Sequence, residues 1–583
     1  MQKKTFKSNL IMWGALLGVL LWIAGKAAMC FNGFRDISGF EAAFMETIKQ
    51  PFIFRWMEYT GAFLIVAIAA WFVLLATFTT FYGKYMSGKE HGSSDWGDPK
   101  QIGKKLACDD PDGSAIVTQN VMINLDCQKH GYNDNTLVVG GPGSGKSRFF
   151  VKPNILQGNA NYVVTDPAGE LLRSCGGALE KLGYTIVVLN LIDMVKSNRY
   201  NPFRYIRNDT DVLKLITNLI KNTTPSEAKT NDPFWEKAET ALLQAIMFYL
   251  WHEAPLADQN FSTVMYLLDN SIPREDNENY ISPLDLVFRE LELNDPEHIA
   301  VKQYKIYKKA AGKTAKSILV SCQTRLSVFN VPVVADLTSV DELEIEKFAT
   351  EKRALFCIIP ETDTTFNFLI GMLYTQIMQT LYDLADNNMT HGRVGKLKYH
   401  LRFLMDEFAN VAIPEDFTKY LNSGRKREIS FNLIIQNFGQ LQKIFNKEWE
   451  GIMDSCSTML YLGSNGKDTH KYMSDMLGKT TIDYLTSGKN DTHLNQNKNI
   501  TGRELMTPDE VRRMKPKDCL VFIGSELPIK DKKFDLDKHK NVGLTCDKGA
   551  PPYRFGVVRG RSLTAFAQQT NLNNYVLACE EVS

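Results

Sequence analysis

A glycine-rich loop at residues 140–147, which reads GGPGSGKS, carries the clearest chemistry in this sequence. It fits the pattern G-x-x-x-x-G-K-[ST], and it follows the apolar residues 136–139, which are typical of a buried strand. Glycines accept positive φ, so successive backbone N–H groups can point at phosphate oxygens, while Lys146 reaches the β- and γ-phosphates and the Ser147 hydroxyl binds Mg²⁺. The loop predicts a site for ATP and Mg²⁺ formed by Gly140, Gly141, Pro142, Gly143, Ser144, Gly145, Lys146 and Ser147.

A pair of acids follows a second apolar run. Residues 401–405 are typical of a buried strand and lead directly into Asp406 and Glu407. One carboxylate at a strand end can hold Mg²⁺ through water, and its neighbour can polarise the water that attacks the γ-phosphate. We therefore predict that Asp406 belongs to the metal site and that Glu407 is the general base of a hydrolase. The alternative is a strand that simply runs into an acidic loop.

A third predicted strand, residues 430–435, ends at the amide side chain of Gln436 and is preceded by a basic loop. Gln436 can contact the γ-phosphate or the attacking water, or it is only a polar strand terminus. Arg425 and Arg427 in the loop can enter the site of a neighbouring subunit and neutralise charge on the transferring phosphoryl group. The alternative is that this loop is an ordinary solvated segment.

The overall composition excludes other kinds of protein. The 583 residues include 67 lysines and arginines against 66 acids, so the chain does not coat nucleic acid through bulk charge, and any such contact requires local patches. None of the ten cysteines forms a CxxC pair or a Cys/His cluster with zinc spacing. This pattern indicates buried thiols in a reducing cytosol.

Two uncharged apolar segments, residues 10–25 and 59–82, differ from the rest of the chain. About 20 apolar residues span a bilayer, so the second segment is long enough, and the first needs to continue past Lys26. A cleaved signal peptide is the alternative for the first segment. We predict a membrane anchor at residues 1–85, with helices at about 10–28 and 59–82. Because ATP is cytosolic, both ends of the chain are expected in the cytosol.

The remaining apolar runs are short, as in a parallel sheet that is covered on both faces. Residues 208–345 instead show a series of helical patterns, so we predict an all-α domain inserted into an α/β P-loop domain with a mostly parallel sheet. The predicted parts are the anchor at 1–85, the two halves of the nucleotide-binding domain at 86–207 and 346–530, the inserted domain at 208–345, and a C-terminal tail of unknown role at 531–583.

Five lysines recur along one predicted helix of the insertion, residues 296–320. Their spacing places them on one face, and no acid lies between the first and the last of them. Such a face is either an ordinary solvated surface or a contact for nucleic acid or another acidic substrate. This set, which we call the lysine face, consists of Lys302, Lys305, Lys309, Lys313 and Lys316.

Several separate motifs, in the expected order, make most of residues 10–530 resemble the type IV secretion coupling proteins of the TraG/TraD kind, the ATPases of bacterial conjugation. Besides the apolar hairpin and the phosphate loop, the resemblance rests on TDPAGE at 165–170, which is similar to the family's DPKGE segment. Ala168 stands where the family often has lysine. The other matching segments are residues 200–203, 232–236 and 406–407, the strand that ends at Gln436, and residues 502–510.

The resemblance implies a homohexameric ring with RecA-like sheet domains, anchored as a multi-pass protein on the inner face of the bacterial cytoplasmic membrane. It implies that the ring binds relaxase-bound single-stranded DNA and delivers it to the inner-membrane proteins of a type IV secretion channel. Two other interpretations remain. One is a DNA translocase of the FtsK kind that acts in chromosome segregation, and the other is a non-catalytic scaffold that binds ATP only to order its ring.

Overall fold

The computed structural model describes residues 2–31, 38–81, 89–223, 233–271, 281–309, 312–388, 395–411, 413–414, 416–490 and 493–556. The chain divides into two compact units, residues 1–93 with 479–503 and residues 94–478 with 504–583. The predicted boundary at residue 85 therefore differs from the observed one. The polar segment 479–503, which the sequence analysis places in the nucleotide-binding domain, belongs to the N-terminal unit, because it has too few apolar side chains to contribute to the core of a sheet domain.

The helices and strands are named here in chain order. The helices are α1 Gln2–Cys30, α2 Ser38–Ile48, α3 Thr60–Phe81, α4 Pro99–Leu106, α5 Cys127–His130, α6 Lys152–Leu156, α7 Glu170–Lys181, α8 Asp209–Thr223, α9 Pro233–Glu253, α10 Phe261–Asp269, α11 Pro283–Asn294, α12 Ile299–Lys308, α13 Gly312–Leu326, α14 Pro332–Leu337, α15 Asn367–Asn387, α16 Phe417–Ser423, α17 Phe438–Phe445, α18 Trp449–Asp454, α19 Lys467–Leu477 and α20 Pro508–Arg512. The strands are β1 Ser114–Ile116, β2 Met122–Asn124, β3 Thr136–Val139, β4 Asn161–Pro167, β5 Thr185–Asn190, β6 Arg353–Ile359, β7 Leu401–Met405, β8 Ile429–Ile435, β9 Thr458–Tyr461, β10 Lys479–Asn490, β11 His493–Glu504, β12 Asp518–Ile523 and β13 Ile529–Lys532.

In the N-terminal unit, α1 and α3 are long and apolar enough to cross a membrane, judged by length and composition. α1 remains helical beyond Lys26, which gives the first apolar segment the length that its uncharged run lacks. The Lys26 side chain is buried, and its ammonium donates to the carbonyl oxygens of Gln50 at 2.6 Å and Ile53 at 2.7 Å. These bonds satisfy a charge that would otherwise be costly inside an apolar helix pair.

In the second unit, and among the residues described, nine strands form one sheet in the order β13-β12-β9-β3-β8-β7-β4-β6-β5. The strands from β9 to β5 are parallel to one another, and β12 is antiparallel to both of its neighbours. The prediction of an α/β fold with a mostly parallel sheet is confirmed. Because parallel strands end at the same edge, the loops after β3, β8, β7 and β4 lie side by side.

Alternate residues of the apolar strands face opposite sides of the sheet, and each side has its own hydrophobic core. Leu137 and Val139 belong to one core, whereas Val138 between them belongs to the other. Helices α8 to α14 lie between β5 and β6 in the chain and share the first core with the sheet. Leu242 and Ile246 of α9, for example, are fully buried there. The helical insertion is therefore part of the same compact unit, not a separate domain.

The single helix predicted for residues 296–320 is divided into α12 and α13. Residues 310–311 between them lie outside the described part of the chain. Gly312 begins the second helix, and glycine disfavours a helix interior by about 1 kcal/mol relative to alanine. The lysine face is consequently carried by two helices.

The sequence pattern predicts lysines without acidic partners, but two lysines of this face form ion pairs. Lys302 pairs with Glu297 at 2.7 Å, and Lys305 pairs with Glu292 at 2.6 Å. Glu297 lies in the turn before α12, and Glu292 lies in α11. Neither acid stands between the lysines in the sequence. Of the other members, Lys309 and Lys316 are exposed, and the side chain of Lys313 is outside the described residues.

Residues 533–556, which we call the C-terminal strap, pack beside α6 on the second face of the sheet. Asn541, for example, donates through Nδ2 to the carbonyl oxygen of Leu156 at 2.8 Å. The predicted tail therefore begins inside the fold, with β13 as an edge strand. Its residues 557–583 lie outside the described part of the chain.

His539 is a buried titratable residue of the strap. Its ring is buried, with Nδ1 accepting a hydrogen bond from the N–H of Asn541 at 3.1 Å and Nε2 lying 3.1 Å from Gln157 Oε1. This arrangement requires a neutral ring, and burial lowers the pKa of His539 to about 4. The unfolded histidine takes up its proton at about 6.5. We therefore expect the protein to lose stability as the pH falls from about 6.5 towards 4, because only the unfolded state binds the proton in that window.

The measurement is the thermal midpoint of the full chain in detergent across this pH range. The midpoint of the wild type should fall more steeply than that of His539→Gln, which cannot take up a proton there. Equal slopes for the two proteins would show that His539 does not couple folding to pH.

Candidate active site

Three neighbouring strands bring the predicted catalytic side chains to one edge of the sheet. β8 lies between β3, which leads into the phosphate loop, and β7, which leads into the acidic pair. Gln436 directly follows β8, so it lies next to both loops. The residues brought together in this way are Lys146, Ser147, Asp406, Glu407 and Gln436.

The phosphate loop has the backbone conformation that its glycines allow. Gly143 and Gly145 have φ values of 74° and 83°, where a residue with a side chain is strained. The start of the loop is anchored to the chain after β9, because the N–H of Gly141 donates to the carbonyl oxygen of Gly463 at 2.8 Å. From Ser147 onward the chain is helical, so the positive end of the helix dipole adjoins the loop.

Ser147 and Asp406 form the candidate metal site. The Ser147 hydroxyl donates to Asp406 Oδ2 at 2.7 Å, and burial raises the pKa of Asp406. A hydroxyl and a carboxylate are hard oxygen ligands, which suit Mg²⁺, and Mg²⁺ usually takes one or two carboxylates together with waters and substrate phosphates. Across the described ranges, no cluster of three or more His, Cys, Asp or Glu residues offers a complete metal cage. The pair therefore fits a magnesium ion that is shared with a bound nucleotide.

Glu407 is held in an uncommon backbone conformation. Its φ of 54° is left-handed, which costs a residue with a side chain about 1–2 kcal/mol. Its carboxylate oxygens accept from Gln436 Nε2 at 3.1 and 3.2 Å, and one lies 3.8 Å from Lys146 Nζ. Strained residues of this kind cluster at active sites, where the surrounding structure holds them. Gln436 thus contacts Glu407 directly and fixes where its carboxylate lies.

Asp166, at the carboxyl end of β4, is a residue to which the sequence analysis gives no role of its own. It is fully buried and accepts from the N–H groups of Leu171 at 2.9 Å and Leu172 at 2.7 Å. Burial raises the pKa of Asp166 to about 7, and the charge of nearby Asp406 acts in the same direction. The sequence feature that could have singled out Asp166 is its position, directly after an apolar run and before a Pro-Ala-Gly turn that leads into α7.

The two arginines of the basic loop lie at the opposite edge of the sheet, because they precede a strand that is parallel to β3. The guanidinium of Arg427 is buried, donates to both carboxylate oxygens of Asp386 at 2.8 and 2.5 Å, and lies over the ring of Tyr382. Its donors are used by Asp386 and by the carbonyl oxygen of Ser423, so the Arg427 side chain is held within its own subunit. Arg425 is exposed and donates to the carbonyl oxygen of Cys127 at 3.2 Å.

The sequence of the chain matches a known protein family. The family described as "Type IV secretory system Conjugative DNA transfer" matches residues 98–541, which is more than half of the sequence. The chain belongs to this family. The region that matches the family extends from the start of α4 into the C-terminal strap and contains the whole candidate site.

Curated relatives of the family are distant in sequence. The conjugal transfer protein TraG of Rhizobium radiobacter is 20% identical over 415 residues, which are 68% of this chain and 60% of that protein. The TraG protein of Escherichia coli is 24% identical over 412 residues, 66% of this chain and 62% of that protein. The match thus spans about three fifths of the length of these relatives.

Solved structures of the conjugative coupling protein TrwB share the fold. The unbound TrwBdeltaN70 structure has a TM-score of 0.56 and 17% identity, and the match covers 77% of this chain and 96% of that one. TrwB in complex with the ATP analogue ADPNP also has a TM-score of 0.56 and 17% identity, covering 80% and 96% of the two chains. At this level of identity, the likeness establishes the architecture around the site.

Proposed function

We propose that this protein is a membrane-anchored ATPase that couples relaxase-bound single-stranded DNA to a type IV secretion channel during conjugation. The observation that carries the proposal is the grouping of a phosphate loop with Asp406, Glu407 and Gln436 in a member of the conjugative transfer family. TrwB has been solved with ADPNP and with ADP and Mg²⁺, which supports ATP and Mg²⁺ as the ligands of this site.

Each grouped side chain has a distinct part in hydrolysis. Lys146 and the backbone N–H groups of the loop bind the phosphates, and Ser147 and Asp406 would hold Mg²⁺, which would supply positive charge to the phosphate oxygens. Glu407 accepts a proton from water while the water oxygen bonds to the γ-phosphorus and the bond from phosphorus to the bridging oxygen of ADP breaks. Gln436 keeps the Glu407 carboxylate in place through their hydrogen bonds.

We place the catalytic unit in the cytosol, at the inner face of the bacterial cytoplasmic membrane. ATP is cytosolic, and α1 and α3 have the length and composition to cross the membrane as a multi-pass anchor. We further propose a homohexameric ring whose partners are a relaxase–DNA complex and the inner-membrane proteins of the channel. In such a ring, an arginine of the basic loop, which lies away from its own phosphate loop, would supply positive charge to the site of the neighbouring subunit.

Arg425 is the candidate for that charge. It precedes a strand of seven residues, so about 20 Å separate it from the phosphate-loop edge of its own subunit. We expect Arg425→Ala to lower kcat, and a mixture with Lys146→Ala to recover more activity than the sum of the two proteins, because some subunit boundaries then combine an intact loop with an intact arginine. Lys426→Ala, an exposed neighbour, should keep wild-type turnover. Mixtures that never exceed the sum would rule out a role across the boundary.

The lysine face remains a proposed contact for the DNA or the relaxase–DNA complex. If all five lysines contact phosphates, changing them to glutamine lowers the salt slope of single-strand binding by about 0.7 per lost contact, about 3.5 at most. The measurement is binding affinity at several salt concentrations, with unchanged circular dichroism as the control for folding. An unchanged slope would identify the lysine face as an ordinary solvated surface.

The proposed function is tested by ATP hydrolysis of the full chain in detergent, with and without single-stranded DNA. We expect hydrolysis that single-stranded DNA stimulates. A chain that binds ATP but never hydrolyses it would be a scaffold. Stimulation by double-stranded DNA alone would instead support a segregation translocase.

A further inference from the structure

A buried lysine of the C-terminal strap lies against the outside of the phosphate loop. Lys533 directly follows β13, and only 7% of it is exposed. Its ammonium donates to the carbonyl oxygen of Ser144 at 2.9 Å and lies 5.4 Å from the centroid of the Phe149 ring. Among the described residues it has no ion pair, and burial lowers its pKa. Burial of an ammonium without a counter-ion costs free energy. The rest of the fold must therefore offset this cost to keep Lys533 beside the loop.

The Ser144 carbonyl belongs to the same peptide group as the Gly145 N–H. A trans peptide is planar, and its C=O and N–H bonds point in opposite directions. A hydrogen bond that holds the carbonyl oxygen on the outside of the loop therefore directs the N–H to the inside. The Gly145 N–H donates no hydrogen bond to any group in the described part of the chain, so it is available to bind a phosphate oxygen.

We propose that Lys533 is a positioning residue of the nucleotide site, which fixes the Ser144–Gly145 peptide with its N–H directed at the phosphate before nucleotide binds. The inference rests on the proposed ATPase function and adds the C-terminal strap to the phosphate site. Phe149 supports it, since its ring lies directly against Gly145, where an added Cβ would be 2.4 Å away. The Phe149 ring thus lies close both to the loop and to the Lys533 ammonium.

Ion pairs hold the strap along the helical segment that follows the loop. Lys152 of α6 pairs with Asp547 of the strap at 3.0 Å, and Arg148 lies 3.8 Å from Asp537. Lys152 is itself buried, and the Asp547 carboxylate that pairs with it remains partly open to solvent. The strap is therefore held by ion pairs after Lys533, and the pairing of β13 with β12 holds the chain before it.

The test uses the full chain in detergent, with ADP as the probe. Lys533→Met keeps the apolar stem and removes the donor, Lys533→Arg keeps a donor, and Lys538→Met changes an exposed lysine of the same strap as the matched control. We expect Lys533→Met to raise the Kd for ADP about tenfold or more, as for the loss of one charge-assisted hydrogen bond, and the other two variants to stay within about threefold of wild type. With ATP, KM should rise while kcat at saturation changes little.

Hydrogen exchange of the loop without nucleotide gives a second readout that does not depend on activity. Exchange in residues 140–147 should be faster in Lys533→Met than in wild type. The inference is overturned if ADP affinity and exchange in Lys533→Met equal those of wild type, or if Lys533→Arg loses as much affinity as Lys533→Met. If Lys533→Met does not fold, Lys533→Gln is measured in its place against the same criteria. A wild type that binds no ADP would refute the proposed ATPase, and the exchange comparison would still decide the role of Lys533.

Discussion

Replacement of Glu407 by glutamine lowers kcat for ATP hydrolysis about 10²–10⁴-fold, the usual contribution of a general base, and leaves the Kd for ATP within about threefold of wild type. Glutamine keeps the size and the hydrogen-bonding capacity of the side chain but cannot accept the proton of the attacking water. The carboxylate lies beside Lys146 and Gln436, outside the phosphate loop itself, so nucleotide binding does not depend on its charge. The measurement is steady-state turnover together with the affinity for ATP.

Glu428→Gln is a closely matched control for this experiment. Glu428 also has a left-handed backbone, with φ of 62°, and its side chain is 16% exposed against 20% for Glu407. It pairs with Lys396 and His400 at the opposite edge of the sheet. The kcat of Glu428→Gln should therefore equal that of wild type. Turnover in Glu407→Gln above about one hundredth of wild type would remove Glu407 from the role of general base.

Lys146→Ala is expected to raise the Kd for ATP about 10²-fold or more, because the ammonium contributes more than one charge-assisted hydrogen bond to the phosphates. The side chain is buried at the center of the site, 3.8 Å from Glu407. Its loss removes the cation beside Glu407, whose carboxylate still accepts hydrogen bonds from Gln436. Equilibrium binding of a fluorescent ATP analogue provides the measurement.

Lys181→Ala is the control for the Lys146 variant. Lys181 is the last residue of α7 and is exposed, so the same change of side chain is made away from the phosphate loop and the strap. We expect the Kd of Lys181→Ala for ATP to remain within about threefold of wild type, as for most surface substitutions. If Lys181→Ala and Lys146→Ala weaken binding equally, general loss of positive charge explains the result, and Lys146 has no specific role.

The site could be predicted from sequence because its parts are local patterns at the ends of apolar strands. The phosphate loop, the acidic pair and Gln436 each directly follow such a strand, and parallel strands bring their carboxyl ends to one edge. The α/β class and the mostly parallel sheet follow from the same short apolar runs. The order of the strands, which places β8 between the other two, is a property of the folded sheet.

The features that sequence analysis missed depend on contacts between distant parts of the chain. Lys533 reaches Ser144 across 389 positions, and no local pattern connects the two. Arg427 donates hydrogen bonds to Asp386 of α15, and the sequence of the basic loop alone does not reveal this partner. The pairing of Lys305 likewise depends on how α11 packs against α12. In each case the missing information is the tertiary packing that supplies the partner.

The central claim, that ATP hydrolysis by this protein drives conjugative DNA transfer, is tested most directly by the transfer frequency of donor cells that lack it. Deletion should abolish transfer, and the wild-type chain and Glu428→Gln should restore it. Glu407→Gln, present in the membrane at the same level, should not restore transfer. Transfer at the wild-type frequency from donors that carry only Glu407→Gln, or from donors without the protein, would contradict the account.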